Sequence, residues 1–187
     1  MKNIKPILIC LLFLISESVI AQSFITETGH AEFTSSVPLH SFTGSSENLT
    51  GLVDFDENLV DFYIDLQTLD TGNGKRDRDM YSTLEVDQYP FAEFTGSLET
   101  PFDMESTEVQ NVTVAGDFTI HGVTQSIEVE GKLRKVNNAL QLEASWILNL
   151  QDYDIEPPGI LFYRVDEEIE VRIEAELEQQ DSESNET

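Results

Sequence analysis

Apolar and polar residues alternate along most of this chain with a period of two, and that pattern restricts it to strands that bury one face and wet the other. In LVDFYIDLQ, residues 59–67, Val60, Phe62, Ile64 and Leu66 fall on one side, with Asp61, Tyr63, Asp65 and Gln67 on the other. The pattern returns in NVTVAGDFTI (Val112, Val114, Gly116, Phe118, Ile120) and in LQLEASWILNL (Leu140, Leu142, Ala144, Trp146, Leu148, Leu150). It returns again in EIEVRIEAELE (Ile169, Val171, Ile173, Ala175, Leu177), and SIEVEGKL continues it with Ile127, Val129 and Leu133. Turn-forming residues separate these runs: Asp56-Glu57-Asn58, Gly122, Asn137-Asn138 and Pro157-Pro158-Gly159. Short strands at near-regular spacing predict an antiparallel meander, and closing it into a barrel covers every apolar face while removing the sheet edges.

One segment departs from this period. RDRDMYSTL, from Arg76 to Leu84, has neither Gly nor Pro, and it sets Met80 and Leu84 four apart with Asp77 four before Tyr81. That spacing predicts a short helix over about residues 76–85, ended before Tyr89-Pro90, because a residue preceding proline is pushed to extended geometry. The expected fold is therefore all-β, a barrel with one inserted helix.

The first 21 residues read as a secretory leader: Lys2 and Lys5, the apolar run from Ile7 to Ile15, then a small-residue cleavage site at Val19-Ile20-Ala21. The expected domain then spans residues 22–178, with a polar, acidic, disordered tail over 179–187 and a periplasmic or secreted destination. Cys10, the lone cysteine, lies inside the leader, so the exported domain has to be held by its core. The apolar run is too short to span a bilayer as a helix. With Lys+Arg 10 against Asp+Glu 36, the surface repels phosphate backbones and anionic head groups, which argues against nucleic acid and anionic membranes as partners.

Two stretches are more specific than any periodicity. The first carries Asp70-Thr71-Gly72, Arg76-Asp77 and Tyr89-Pro90; the second is Gly116-Asp117-Phe118-Thr119-Ile120-His121-Gly122-Val123-Thr124. In order and spacing they resemble the YceI-like family of bacterial exported proteins, over roughly residues 24–178. The resemblance implies a lipocalin-like, eight-stranded antiparallel barrel whose elongated interior holds a polyisoprenoid chain, such as a quinone tail or a polyprenyl lipid, without catalysis and without a cofactor.

Candidate wall residues lie on the apolar faces: Phe62, Ile64, Phe94, Phe118, Ile120, Trp146 and Leu148. Read from the residues alone they fill a solid core, as in many small barrels, which would make the protein a structural or stress-protective module without a ligand; the resemblance favours a tunnel instead. Arg76 and His121 are candidate contacts to a ligand's head group. The competing readings are that Arg76 and Asp77 fix the inserted helix, and that His121 bonds nearby backbone and fixes a turn. An exposed apolar mouth would favour a homodimer.

Enzyme readings find less support. With so many acids, a carboxylate pair has no diagnostic value for glycoside hydrolysis, although a hydrolase of an exported substrate stays open. His30, His40 and His121 form no His-Glu-x-x-His pattern, so no transition-metal site is expected. Asp152-x-Asp154-x-Glu156 suggests calcium only superficially, because Pro157-Pro158 stands where a calcium loop needs its glycine.

Overall fold

The computed structural model describes residues 22–37, 40–156 and 167–180. The expected leader, the Pro157-Pro158-Gly159 turn and most of the acidic tail lie outside these residues.

Eight antiparallel strands run in chain order and close into a barrel: β1 (Ser23–Val37), β2 (His40–Asp54), β3 (Leu59–Asp65), β4 (Phe91–Leu98), β5 (Gln110–Ile120), β6 (Val123–Val136), β7 (Ala139–Asn149) and β8 (Glu168–Gln179). Closure comes from β8 pairing back on β1, with Phe33 opposite Val171 and Ala31 opposite Ile173. The one α-helix among the described residues, α1 (Gly74–Thr83), lies between β3 and β4. It begins two residues before the helix expected at Arg76, because the Asn73 side chain accepts from the backbone N–H groups of Lys75 and Arg76 and so caps the first turn.

The alternating residues fall where the period placed them. Val60, Phe62, Ile64, Val112, Phe118, Ile120, Leu140, Leu148, Ile169 and Leu177 are all buried. Two tight turns are built on left-handed residues: Asn137 at φ 56 between β6 and β7, and His121-Gly122 at φ 55 and 74 between β5 and β6. The second has both central residues at positive φ in a two-residue loop, the type I′ geometry that matches the twist of adjacent strands.

The two ends of the barrel differ. At the end holding the β2–β3 turn, Phe24, Leu140 and Leu177 are fully buried, and the Phe55 ring stacks on Phe102 at 5.1 Å while standing edge-on to Phe24. This end is filled. At the opposite end, where α1 leaves β3 and the His121-Gly122 turn lies, no residue of the helix is buried.

Candidate ligand cavity

Beneath α1 the barrel is hollow, with a cavity of about 380 Å³, within the range of about 300 to 1,000 Å³ usual for small-molecule sites. Its walls are inward residues toward the open end of the strands: Ile64 on β3, Ala92 on β4, Phe118 and Ile120 on β5, Leu148 on β7, and Ile169 and Val171 on β8. Ala31 and Phe33 on β1 and Phe42 on β2 also line it, and β6 contributes no lining residue. Two short 3-10 turns, Leu66–Thr68 and Leu150–Tyr153, tuck Leu66 and Leu150 under the rim, with Leu69 and Ile155 just beyond them. Met80 of α1 and its C-cap Leu84 face the hollow, while the N-cap Asn73 and Lys75, Arg76 and Asp79 of the helix bring polar groups to the mouth.

Of the seven wall candidates read from the sequence, Ile64, Phe118, Ile120 and Leu148 line this cavity. Phe62, Phe94 and Trp146 lie deeper. Phe62 sits opposite Gly51, and a methyl group added to that glycine would fall within the Phe62 ring. Phe94 lies across Gly96 and Gly116, its Cζ 2.9 and 2.8 Å from where their Cβ atoms would stand. Trp146 packs edge-on against Phe118, centroids 5.7 Å apart, and its indole N–H is buried without an acceptor among the described residues. The residues that pattern reasoning missed as wall groups include Ala31, Phe33, Phe42, Leu69, Ala92 and Ile155, all outside the alternating runs. Leu66, Leu150, Ile169 and Val171 lie within those runs, at or near their ends, and were not singled out.

The motif residues build the mouth. Asp70 pairs through its backbone with Ser45 of β2 in both directions, at 2.9 and 3.0 Å, and its carboxylate accepts from the N–H of Gly72, which turns at φ 70. One carboxylate oxygen of Asp77 accepts from both the N–H and the hydroxyl of Thr71, at 3.0 and 2.6 Å. Tyr81, one turn further on, donates its hydroxyl to the carbonyls of Leu69 and Gln67, at 2.6 and 3.1 Å. Asp77 and Tyr81 thus tie α1 to the segment that leads into it. Burial first, and then the nearby carboxylates of Asp77, Asp70 and Asp65, push the Tyr81 phenol up from its ordinary value, which keeps it a neutral donor.

The three cations Lys75, Arg76 and Arg78 fall within four positions and have separate fates. Lys75 pairs with Asp79 across one helical turn. The Arg76 guanidinium lies over the Phe42 ring, 4.4 Å from its centroid, and no carboxylate among the described residues is within ion-pair distance of it. Of the pair read from the sequence as fixing the inserted helix, Arg76 meets β2 through this cation–π contact and Asp77, joined by Tyr81, supplies the hydrogen bonds that hold α1. Arg76 borders the cavity; Arg78 does not.

His121 stands behind the wall rather than in it. Its Nδ1–H donates to the Tyr153 carbonyl at 3.1 Å, the only arrangement open to a carbonyl acceptor, and this fixes the tautomer. Its Nε2 is 3.8 Å from Glu85, and its ring meets Tyr89 edge-on at 5.4 Å. Tyr89 in turn lies against Gly122, where a Cβ would collide with its ring. The Tyr-Pro and His-Gly motifs are one contact, joining the β5–β6 turn to the segment after α1. Pro90 extends it by accepting from Leu66 N–H at 2.8 Å.

Comparison with known proteins gives a consistent grouping. A family model described as a YceI-like domain matches residues 21–177. A protein of Pseudomonas putida strain W619, designated UPF0312, is 31% identical over 118 residues, 58% of this chain and 59% of its own length. A UPF0312 protein of Yersinia enterocolitica is 30% identical over 129 residues, 60% of this chain and 62% of its own. The matches thus span about three fifths of these relatives. Among solved structures, a polyisoprenoid binding domain from Saccharophagus degradans, implicated in plant cell wall breakdown, superposes with a TM-score of 0.72 at 19% identity, over 86% of this chain and 99% of that one. Burkholderia cenocepacia BcnA gives 0.67 at 13% identity, over 80% and 95%. At these identities the two structures share the fold.

Proposed function

The chain belongs to the YceI-like family, and from that premise we propose that its barrel takes up the apolar part of a polyisoprenoid-type lipid, such as a quinone or polyprenyl chain, and carries it without catalysing a reaction. The observation that carries this reading is the cavity beneath α1, whose walls are alkyl and aromatic groups and whose polar groups are gathered at the mouth. Such walls bury carbon and move no proton. Each methylene removed from water contributes about 0.8 kcal/mol, and association costs on the order of 4 to 15 kcal/mol. A chain that fills the cavity therefore gains enough to bind and remains exchangeable, as a carrier requires. The fold likeness to a domain described as polyisoprenoid binding supports the same ligand class. In this reading the leader exports the domain to the periplasm or the exterior, and Arg76, at the mouth and beside no carboxylate among the described residues, is the group placed to meet a polar head.

The test is thermal unfolding of the protein with and without farnesol. A ligand at about a hundredfold its dissociation constant stabilises the native state by about 2.7 kcal/mol, which for a domain of this size is a rise in Tm of roughly 5 to 10 °C. An unchanged Tm with farnesol and with longer isoprenols would contradict the proposal.

A further inference from the structure

The cavity does not run through the barrel. On β3 the wall residue Ile64 is followed inward by Phe62 and only then by Val60, which borders a second, separate void of about 30 Å³ near the filled end. On β4 the sequence inward is Ala92, Phe94, Gly96 and Leu98, and only Ala92 borders the large cavity while only Leu98 borders the small one. The two voids share no lining residue.

Between them lies a row of three rings in register across adjacent strands, Phe62 opposite Phe94 and Phe94 opposite Phe118. The row has been given room. Gly51 receives the Phe62 ring, and Gly96 and Gly116 receive that of Phe94. Phe118, the member exposed to the cavity, is held edge-on from two sides by Trp146 and Tyr153, each at 5.7 Å. Seated on glycine and pinned by neighbours, these rings are a floor.

We propose that this phenylalanine row sets the length of chain the barrel accepts, a specificity that rests on the lipid-carrier reading above. At about 30 Å³ for a small group at liquid density, 380 Å³ takes on the order of a dozen carbons. That is two to three five-carbon units. The rest of a longer chain stays outside, past the mouth under α1.

Trp146, the lone tryptophan of the chain, stands one ring behind the cavity wall and reports its occupancy by fluorescence. The experiment measures quenching of Trp146 by benzoquinones bearing one to four isoprene units. In the unmodified protein the Kd should fall roughly tenfold or more for each unit that enters, and change by less than about threefold once the floor is reached, at the third or fourth unit. In Phe94→Ala, checked for folding by its thermal transition, the gain should extend through the fourth unit. Ala92→Leu, which occupies cavity space instead of opening it, should move the break at least one unit shorter, and it tests the floor even if Phe94→Ala does not fold. A Kd that keeps falling tenfold per unit through the fourth in the unmodified protein would overturn the proposal, as would a break that neither variant moves. Absence of quenching by every quinone would overturn the carrier reading, and this inference with it.

Discussion

Leu148→Glu is expected to abolish the farnesol-dependent rise in Tm, with apolar ligand affinity falling by about a hundredfold or more. Leu148 is 6% exposed, lines the cavity and stands opposite Ile169 on β8, another wall residue. A carboxylate there can keep hydrating water while the cavity is empty. It must lose that water when a hydrocarbon chain enters, and burying an unpaired charge costs several kcal/mol or forces its protonation. The penalty therefore falls mainly on the complex. Unfolding of the empty protein should report a separate loss, on the order of the 2 to 3 kcal/mol that a buried leucine contributes. Isothermal titration with farnesol would check it. Affinity equal to that of the unmodified protein would mean that the ligand sits elsewhere.

The largest effect on folding is expected from Gly116→Val. Gly116 of β5 pairs with Gly96 of β4, and the strands are so close there that a Cβ on Gly116 would stand 2.6 Å from the Gly96 Cα as well as against the Thr95 carbonyl and the Phe94 ring. Two of these three obstacles are backbone, which no rotamer change relieves. The added side chain must spread the β4–β5 pair in mid-barrel, and a cost of about 4 kcal/mol or more follows, a large part of a typical domain's stability of about 5 to 15 kcal/mol. Urea denaturation should show a much lower midpoint, or the protein should fail to accumulate in folded form. Gly74→Ala makes the internal control. At the first turn of α1 its Cβ would meet only Arg78 Nη1 at 3.7 Å, so the loss of unfolded-state freedom should leave stability unchanged or raise it by up to about 1 kcal/mol. Comparable losses at both positions would refute the argument from close backbone approach.

What could be read from the sequence follows from how much each strand relies on large apolar side chains. β3, β5, β7 and β8 have them at most inward positions, so the period is plain. β1 and β2 do not. The buried residues of β1 include Thr26 and Ser35, and its pairing with β2 shifts register between Thr26 and Gly29 and again before Ala31. Small or hydroxylated inward residues and a change of phase erase a period-two signal, although the segment makes two of the longest strands. The helix was legible from Met80 and Leu84, but its start was hidden because Asn73-Gly74 resembles a hairpin turn until the cap geometry is known. For the cavity, alternation told which residues face inward. It could not tell at which height the barrel is filled, since that depends on where Gly51, Gly96 and Gly116 fall opposite Phe62 and Phe94. For His121 the bond to backbone was among the readings of the sequence, but its partners Tyr153, Glu85 and Tyr89 come from two segments that only the fold brings together.

The central claim is that the space beneath α1 belongs to an apolar chain, and native mass spectrometry of the protein recovered from a bacterial envelope, followed by organic extraction, tests it most directly. The account predicts a stoichiometric, dissociable mass whose fragments differ by isoprene units, absent from Leu148→Glu prepared in the same way. A protein that emerges with no bound mass, and that takes up neither added quinone nor added polyprenol, would contradict it.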